Sequence, residues 1–230
     1  MPRSLYKKIR TVGRGNNDPT VVTPGQKPKT SSHQYHEYLL CWDCEQRFSR
    51  NGEEYVMTIA QTKGKMPLLE MLDQISKPTA SVNGIKAYDA AITPHIDRDK
   101  LTYFALSVFW RASVITWRGP HGRDVRIELG PQYNEEVRRY LLGLTGLPSL
   151  AYLKVSVCTD QLHPHLFFAP CPALKSHKHV YTFMACGIDF VFGIGKAVPV
   201  ELRRLSMLTG AKWITSSDCL SDHKYRMTVD

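Results

Sequence analysis

A chain of 230 residues, 43% hydrophobic and with a mean hydropathy of −0.28, has room for one sizeable core and a small appended module. No run approaches the roughly eighteen apolar residues of a membrane span, Met1–Arg10 is basic without the apolar segment of a secretory signal, and six cysteines are too few for a disulfide scaffold, so the expected compartment is the cytoplasm. The net charge of +9 is uneven: residues 1–30 hold Arg3, Lys7, Lys8, Arg10, Arg14, Lys27 and Lys29 against the single acid Asp18.

Residues 1–32 are rich in Pro, Gly, Asn, Thr and Lys without periodicity and read as an extended basic arm. Its charge attracts phosphate backbones through counterion release, which makes Arg3, Lys7, Lys8, Arg10 and Arg14 candidate contacts to DNA or RNA; a solvated tail has the same composition. Gly13-Arg14-Gly15 lacks the preceding strand, third glycine and Gly-Lys-Ser/Thr of a phosphate-binding loop.

Residues 33–60 are expected to form a small zinc-knuckle module. The apolar run Tyr38-Leu39-Leu40 leads into Cys41-Trp42-Asp43-Cys44, two thiols that can face one metal ion from the tip of a turn. Glu45 to Tyr55 has the spacing of a short amphipathic helix carrying Phe48 inward, with Asn51-Gly52 predicted to break it.

Residues 61–230 are expected to form a larger α+β domain, with a central apolar helix covered by an antiparallel sheet. Lys65 to Ser76 has helical spacing through Leu68, Leu69, Met71, Leu72 and Ile75. Arg98 to Trp117 is apolar nearly all round, with Asp97 as its cap and Gly119-Pro120 as its stop. Arg111 lies in the middle of that helix and needs a partner if buried; Glu45 is the expected one, a pair that would lock the knuckle to the larger domain. A second helix is predicted over Asn134 to Leu144, capped by Asn134. Ala151–Cys158, His165–Ala169, His179–Ala185 and Ile188–Ile194 alternate and are β-rich, with Gly187 marking a tight turn or bulge, followed by a short helix at Glu201–Met207 and a strand at Lys212–Thr215.

Structural zinc takes four ligands, so Cys41 and Cys44 are half a site. His33 and His36 supply a local pair, in the pattern His-x-x-His-x4-Cys-x-x-Cys. Cys158, His163, His165, Cys171, His177, His179 and Cys186 are distant candidates, more simply explained as buried thiols and loop histidines. A redox reading of Cys41-Trp42-Asp43-Cys44 requires a strand before it and a helix starting at the first thiol; Glu45 and the lack of a βαβ pattern count against a thioredoxin-like context.

The combination of LLCWDCEQRFSRNGEEYV, FALSVFWRAS, a short segment ending in ELG, and EEVRRYLLG resembles an uncharacterised prokaryotic family related to HNH endonucleases. The likeness runs from about Met1 to Gly193 and is specific at Leu39, Leu40, Cys41, Cys44, Glu45, Phe48, Ser49, Trp110 and Arg111. It implies a treble-clef module with structural Zn2+, of which Cys41 and Cys44 belong to the second half. It further implies that a first Cys-x-x-Cys and a Ser-His segment lie upstream of Met1, and that cleavage, with Mg2+ or another divalent ion, is absent or impaired because no residue here matches the HNH histidine. The resemblance thus leads to an HNH-like nucleic-acid-binding protein; the alternative is a non-enzymatic, zinc-stapled protein-interaction module.

Overall fold

The computed structural model describes residues 20–22, 29–30, 39–61, 65–75, 78–82, 84–91, 93, 95–118, 124–159, 166–173, 177–209 and 212–218. The strands are β1 (Thr20–Val22), β2 (Lys29–Thr30), β3 (Ala80–Val82), β4 (Ile85–Asp89), β5 (Trp117–Arg118), β6 (Asp124–Val125), β7 (Ala151–Cys158), β8 (Leu166–Pro172), β9 (Val180–Ala185), β10 (Ile188–Ile194) and β11 (Trp213–Ser217). The helices are α1 (Trp42–Phe48), α2 (Glu54–Ile59), α3 (Pro67–Ile75), α4 (Arg98–Val114), α5 (Pro131–Leu141) and α6 (Val200–Arg204), with a π-helical turn, Ser49–Glu53, joining α1 to α2.

Nine strands form one sheet in the order β2-β1-β8-β9-β10-β7-β11-β4-β3, and the chain is an α+β protein built on it. The β9–β10 hairpin turns on Cys186 and Gly187, whose φ values of 49° and 76° are the left-handed pair a type I′ turn needs. That turn sets Phe183 opposite Phe190, their rings stacked at 4.7 Å. The sheet is mixed rather than antiparallel throughout as expected, because β1 pairs with β8, and β11 with β7, in parallel. Parallel neighbours need a long crossover, and β7 reaches β11 only after β8, β9, β10 and α6. The arm expected to be merely extended supplies two of the strands, β1 and β2.

One face of the sheet carries α4, in which every residue from Leu101 to Ser113 is buried. Asp97 caps it, accepting a hydrogen bond from the Lys100 amide at 3.0 Å. Phe104 and Phe109 meet Phe183, Phe190 and Phe192 at ring-centre distances of 5.0 to 6.1 Å. The helix stops at Val114, short of Trp117, where the β-branched run Val114-Ile115-Thr116 favours extended backbone and leads into the β5–β6 hairpin. The opposite face of the sheet is partly covered by α6, which sits so close that a Cβ on Gly193 would lie 2.8 Å from Leu202 Cδ2. Buried polar pairs cross that face, Thr182 donating to Asp189 at 3.1 Å and Ser156 bonded to Thr215 at 2.7 Å.

The segment from Trp42 to Ile59 is continuously helical, and Asn51-Gly52 does not break it. Gly52 is instead a contact residue: a Cβ there would fall 2.8 Å from the Phe104 amide nitrogen, so its bare backbone lets this segment lie directly on α4. Phe48, Val56 and Ile59 are buried with α4 in one core. Helix α5 begins at Pro131 rather than at the expected Asn134 cap; Gly130 (φ 77°) precedes it and proline takes the first helical position, where its missing N–H costs nothing. Asn134 bridges helices instead, accepting from Trp110 Nε1 at 3.1 Å and donating to Ser113 Oγ at 2.7 Å. Gly143 (φ 72°) closes α5 with a Schellman pair of bonds, its own amide to the Tyr140 carbonyl and that of Leu144 to Arg139. No helix among the described residues is long and apolar enough to cross a membrane.

Candidate dithiol site

Helix α1 starts inside the Cys-x-x-Cys. Cys41 is its N-cap, with φ −69° and ψ 165°, and its carbonyl already accepts the Glu45 amide at 3.0 Å. Cys44 is therefore the third residue of the helix, the position an N-cap side chain faces. Residues three apart on a helix have Cα atoms about 5 Å apart, so the two sulfurs share one side of the first turn. Cys41 is exposed and Cys44 half-buried, and between them Trp42 is 72% exposed. Asp43 and Glu45 place negative charge in the first turn, where it complements the helix dipole.

The two thiols ionise as a pair. The Cys44 amide, then the Cys44 thiol, hold the Cys41 thiol below the usual cysteine range, aided by the Asp43 amide and opposed by burial and the Asp43 charge, although no capping bond of regular geometry forms. Cys44 moves up, first because its thiol donates to Cys41, then through burial and the charge on Cys41; the nearby Arg47 guanidinium acts the other way. Both directions favour negative charge on Cys41 over Cys44.

The turn stands on a fixed base. The Arg47 guanidinium donates to the Leu142 carbonyl at the C-terminus of α5. Phe48 packs edge-on to Tyr103 at 5.7 Å and to Trp110 at 6.2 Å, and Tyr103 Oη donates to the Leu141 carbonyl at 2.7 Å. Beneath Phe48, Arg111 is held by Ser107 through Nε to the carbonyl at 3.1 Å and Nη2 to Oγ at 3.0 Å, and its guanidinium lies 5.3 Å from the Phe48 ring. Its carboxylate partner is Glu53, at 2.7 Å, and not Glu45, which is exposed on α1. The π turn explains the exchange: its i to i+5 bonding stacks residues five apart, bringing Glu53 round to the face that Phe48 occupies. Neither the expected break at Asn51-Gly52 nor a regular α-helical phase carried past it places Glu53 on that face.

Among the described residues no group of three or more His, Cys, Asp and Glu side chains is placed to hold a metal ion. A tetrahedral zinc site takes four ligands, and the described residues place no third His, Cys, Asp or Glu beside Cys41 and Cys44. His33 and His36 lie outside the described residues, as do Arg3, Lys7, Lys8, Arg10 and Arg14. Of the distant candidates, His163 and His165 also lie outside them. Cys158 is disulfide-bonded and so withdrawn from metal binding, and its oxidation was not expected from six scattered cysteines. Cys171 is buried in β8 and Cys186 in the β9–β10 turn. His179, at a left-handed φ of 61°, places Nδ1 3.2 Å from the Glu128 carbonyl and 3.3 Å from Tyr181 Oη.

No known protein family, curated protein or solved structure matches this chain. The functional reading therefore rests on the dithiol turn, its base and the charge of the chain.

Proposed function

We propose that the protein binds nucleic acid in the manner of an HNH-related treble-clef module, with Cys41 and Cys44 as one half of a structural zinc site. The single observation that supports this most is the placement of both thiols in the first turn of a helix whose opposite face is fixed to the core by Phe48, Gly52 and the Glu53–Arg111 pair. The resemblance described above assigns Cys41 and Cys44 to the second half of a treble clef. Zinc bound there would add folding free energy by tying the turn to its other ligands, for which His33 and His36 are the local candidates. The net charge of +9, carried largely by residues 1–30, supports a polyanionic partner. No residue is assigned to catalysis.

Two measurements test the reading. Metal analysis of the purified chain is expected to give one zinc per molecule, lost in Cys41→Ser. Binding to duplex DNA is expected to weaken steeply with salt, and replacing Arg3, Lys7, Lys8, Arg10 and Arg14 together should flatten that slope. Zinc without salt-dependent DNA or RNA binding would favour the zinc-stapled protein-interaction module, for which the exposed Trp42 beside the thiols is the supporting feature. A nicking assay with Mg2+ decides whether the protein cleaves what it binds.

A further inference from the structure

The same turn has the geometry of a redox couple, and this inference does not depend on metal binding. A disulfide needs Cα atoms about 4.4–6.8 Å apart. The helical spacing of about 5 Å between Cys41 and Cys44 falls inside that window, and the N-cap position aims the first side chain over the third helical residue. Forming the bond therefore asks for side-chain rotation and little backbone movement. Accessibility is graded between the two sulfurs, Cys41 being exposed and Cys44 half-buried. Elsewhere among the described residues Cys171 and Cys186 are buried.

We propose that Cys41 and Cys44 are a dithiol–disulfide couple that exchanges with small-molecule disulfides, Cys41 attacking and Cys44 resolving. In the first step Cys41 loses its proton to water and its sulfur attacks one sulfur of the incoming disulfide. The incoming S–S bond breaks, and the departing thiolate takes up a proton. In the second, Cys44 loses its proton and attacks Cys41 Sγ, breaking the mixed disulfide and releasing the second small thiol. The net change converts the protein dithiol and one small disulfide into a protein disulfide and two small thiols. The base formed by Phe48, Arg47 and Gly52 keeps Cys44 on the same turn throughout, so the resolving step is intramolecular.

The test is oxidation of the full chain by oxidised glutathione in the presence of a metal chelator, followed by alkylation of the remaining thiols and peptide mapping. The wild-type protein is expected to lose alkylation at Cys41 and Cys44 together, in a peptide lighter by two hydrogens. Cys44→Ser is expected to trap glutathione on Cys41 at least about tenfold faster than Cys41→Ser traps it on Cys44. Far-UV circular dichroism checks that each variant folds, and the wild-type mapping stands alone if one does not. The proposal fails if both thiols of the wild type stay alkylatable at glutathione ratios that oxidise the same segment as an unfolded peptide, or if Cys44 is trapped as fast as Cys41. Zinc analysis is a separate measurement: a disulfide without zinc leaves this couple standing and removes the metal reading, and zinc without a disulfide does the reverse.

Discussion

Gly52→Ala opposes two effects of known size. Alanine is about 1 kcal/mol more favourable than glycine inside a helix, so local propensity alone predicts a gain. The new methyl group would sit 2.8 Å from the Phe104 amide nitrogen, 2.9 Å from its Cα and 3.0 Å from its Cβ. Two of these are backbone atoms in the middle of α4, which is packed against the sheet and has no flexible end to move aside. Overpacking costs about 1–3 kcal/mol, and with a rigid neighbour the upper half of that range applies. The expected net effect is a loss of about 1–2 kcal/mol, or roughly 2–8 °C in Tm for a chain of this size. Urea unfolding followed by far-UV circular dichroism measures it, and the midpoint should fall with an unchanged slope. Gly146→Ala is the control: nothing lies within 4 Å of its Cβ, so the change should stay within about 0.5 kcal/mol. A Gly52→Ala protein as stable as the parent, or more so, would mean that the dithiol helix does not rest on α4 and that its base is misplaced.

Glu53→Gln should destabilise by about 3–5 kcal/mol if the Arg111 guanidinium is left without a carboxylate, whereas Glu45→Gln should change little; equal effects in chemical denaturation would reject the Glu53 pairing. Burial first, then Asp99 and Tyr103, pushes Tyr140 up to about 12, and burial, then Glu128, does the same for Tyr181. An unfolded tyrosine ionises near pH 10 and these two stay protonated in the fold, so their stabilisation is complete below pH 10 and is lost as pH rises towards about 12. A pH series of thermal unfolding should show that alkaline fall, and Tyr181→Phe should flatten it. Alkylation of Cys41 should set in at lower pH than that of a free cysteine and before Cys44; the reverse order would contradict the assignment of charge within the pair. Cys41→Ser should speed proteolysis within residues 39–59 of the zinc-loaded protein, and an unchanged cleavage pattern would count against metal there.

Periodicity and local turn chemistry made much of the fold legible. The strands β7 and β10 fall where alternation and β-branching place them, and the Asp97 cap and the turn at Gly187 follow from side-chain chemistry and conformational freedom. What escaped was set by partners distant in the chain. A glycine inside a helical pattern reads as a breaker until the backbone of Phe104 is known to lie against it. Glu53 becomes the partner of Arg111 only through a π turn that no spacing rule signals. The Gly130-Pro131 start of α5 and the β3–β4 hairpin around Gly84 (φ 79°) did carry local signals, a proline at the first helical position and an Asn-Gly dipeptide. The dithiol was legible as a pair, and its place at a helix start followed only from the coordinates.

Parallel pairing also dictates an order of assembly. Ile214 lies beside Val155, and Thr20 lies beside Leu166, 146 positions further along the chain. Closing loops of that length costs entropy before any pairing rewards it, so the local β9–β10 hairpin is expected to form before β1 and β11 find their parallel neighbours. During synthesis β1 emerges long before β8, so its pairing groups are without their parallel neighbour until the chain has reached Leu166.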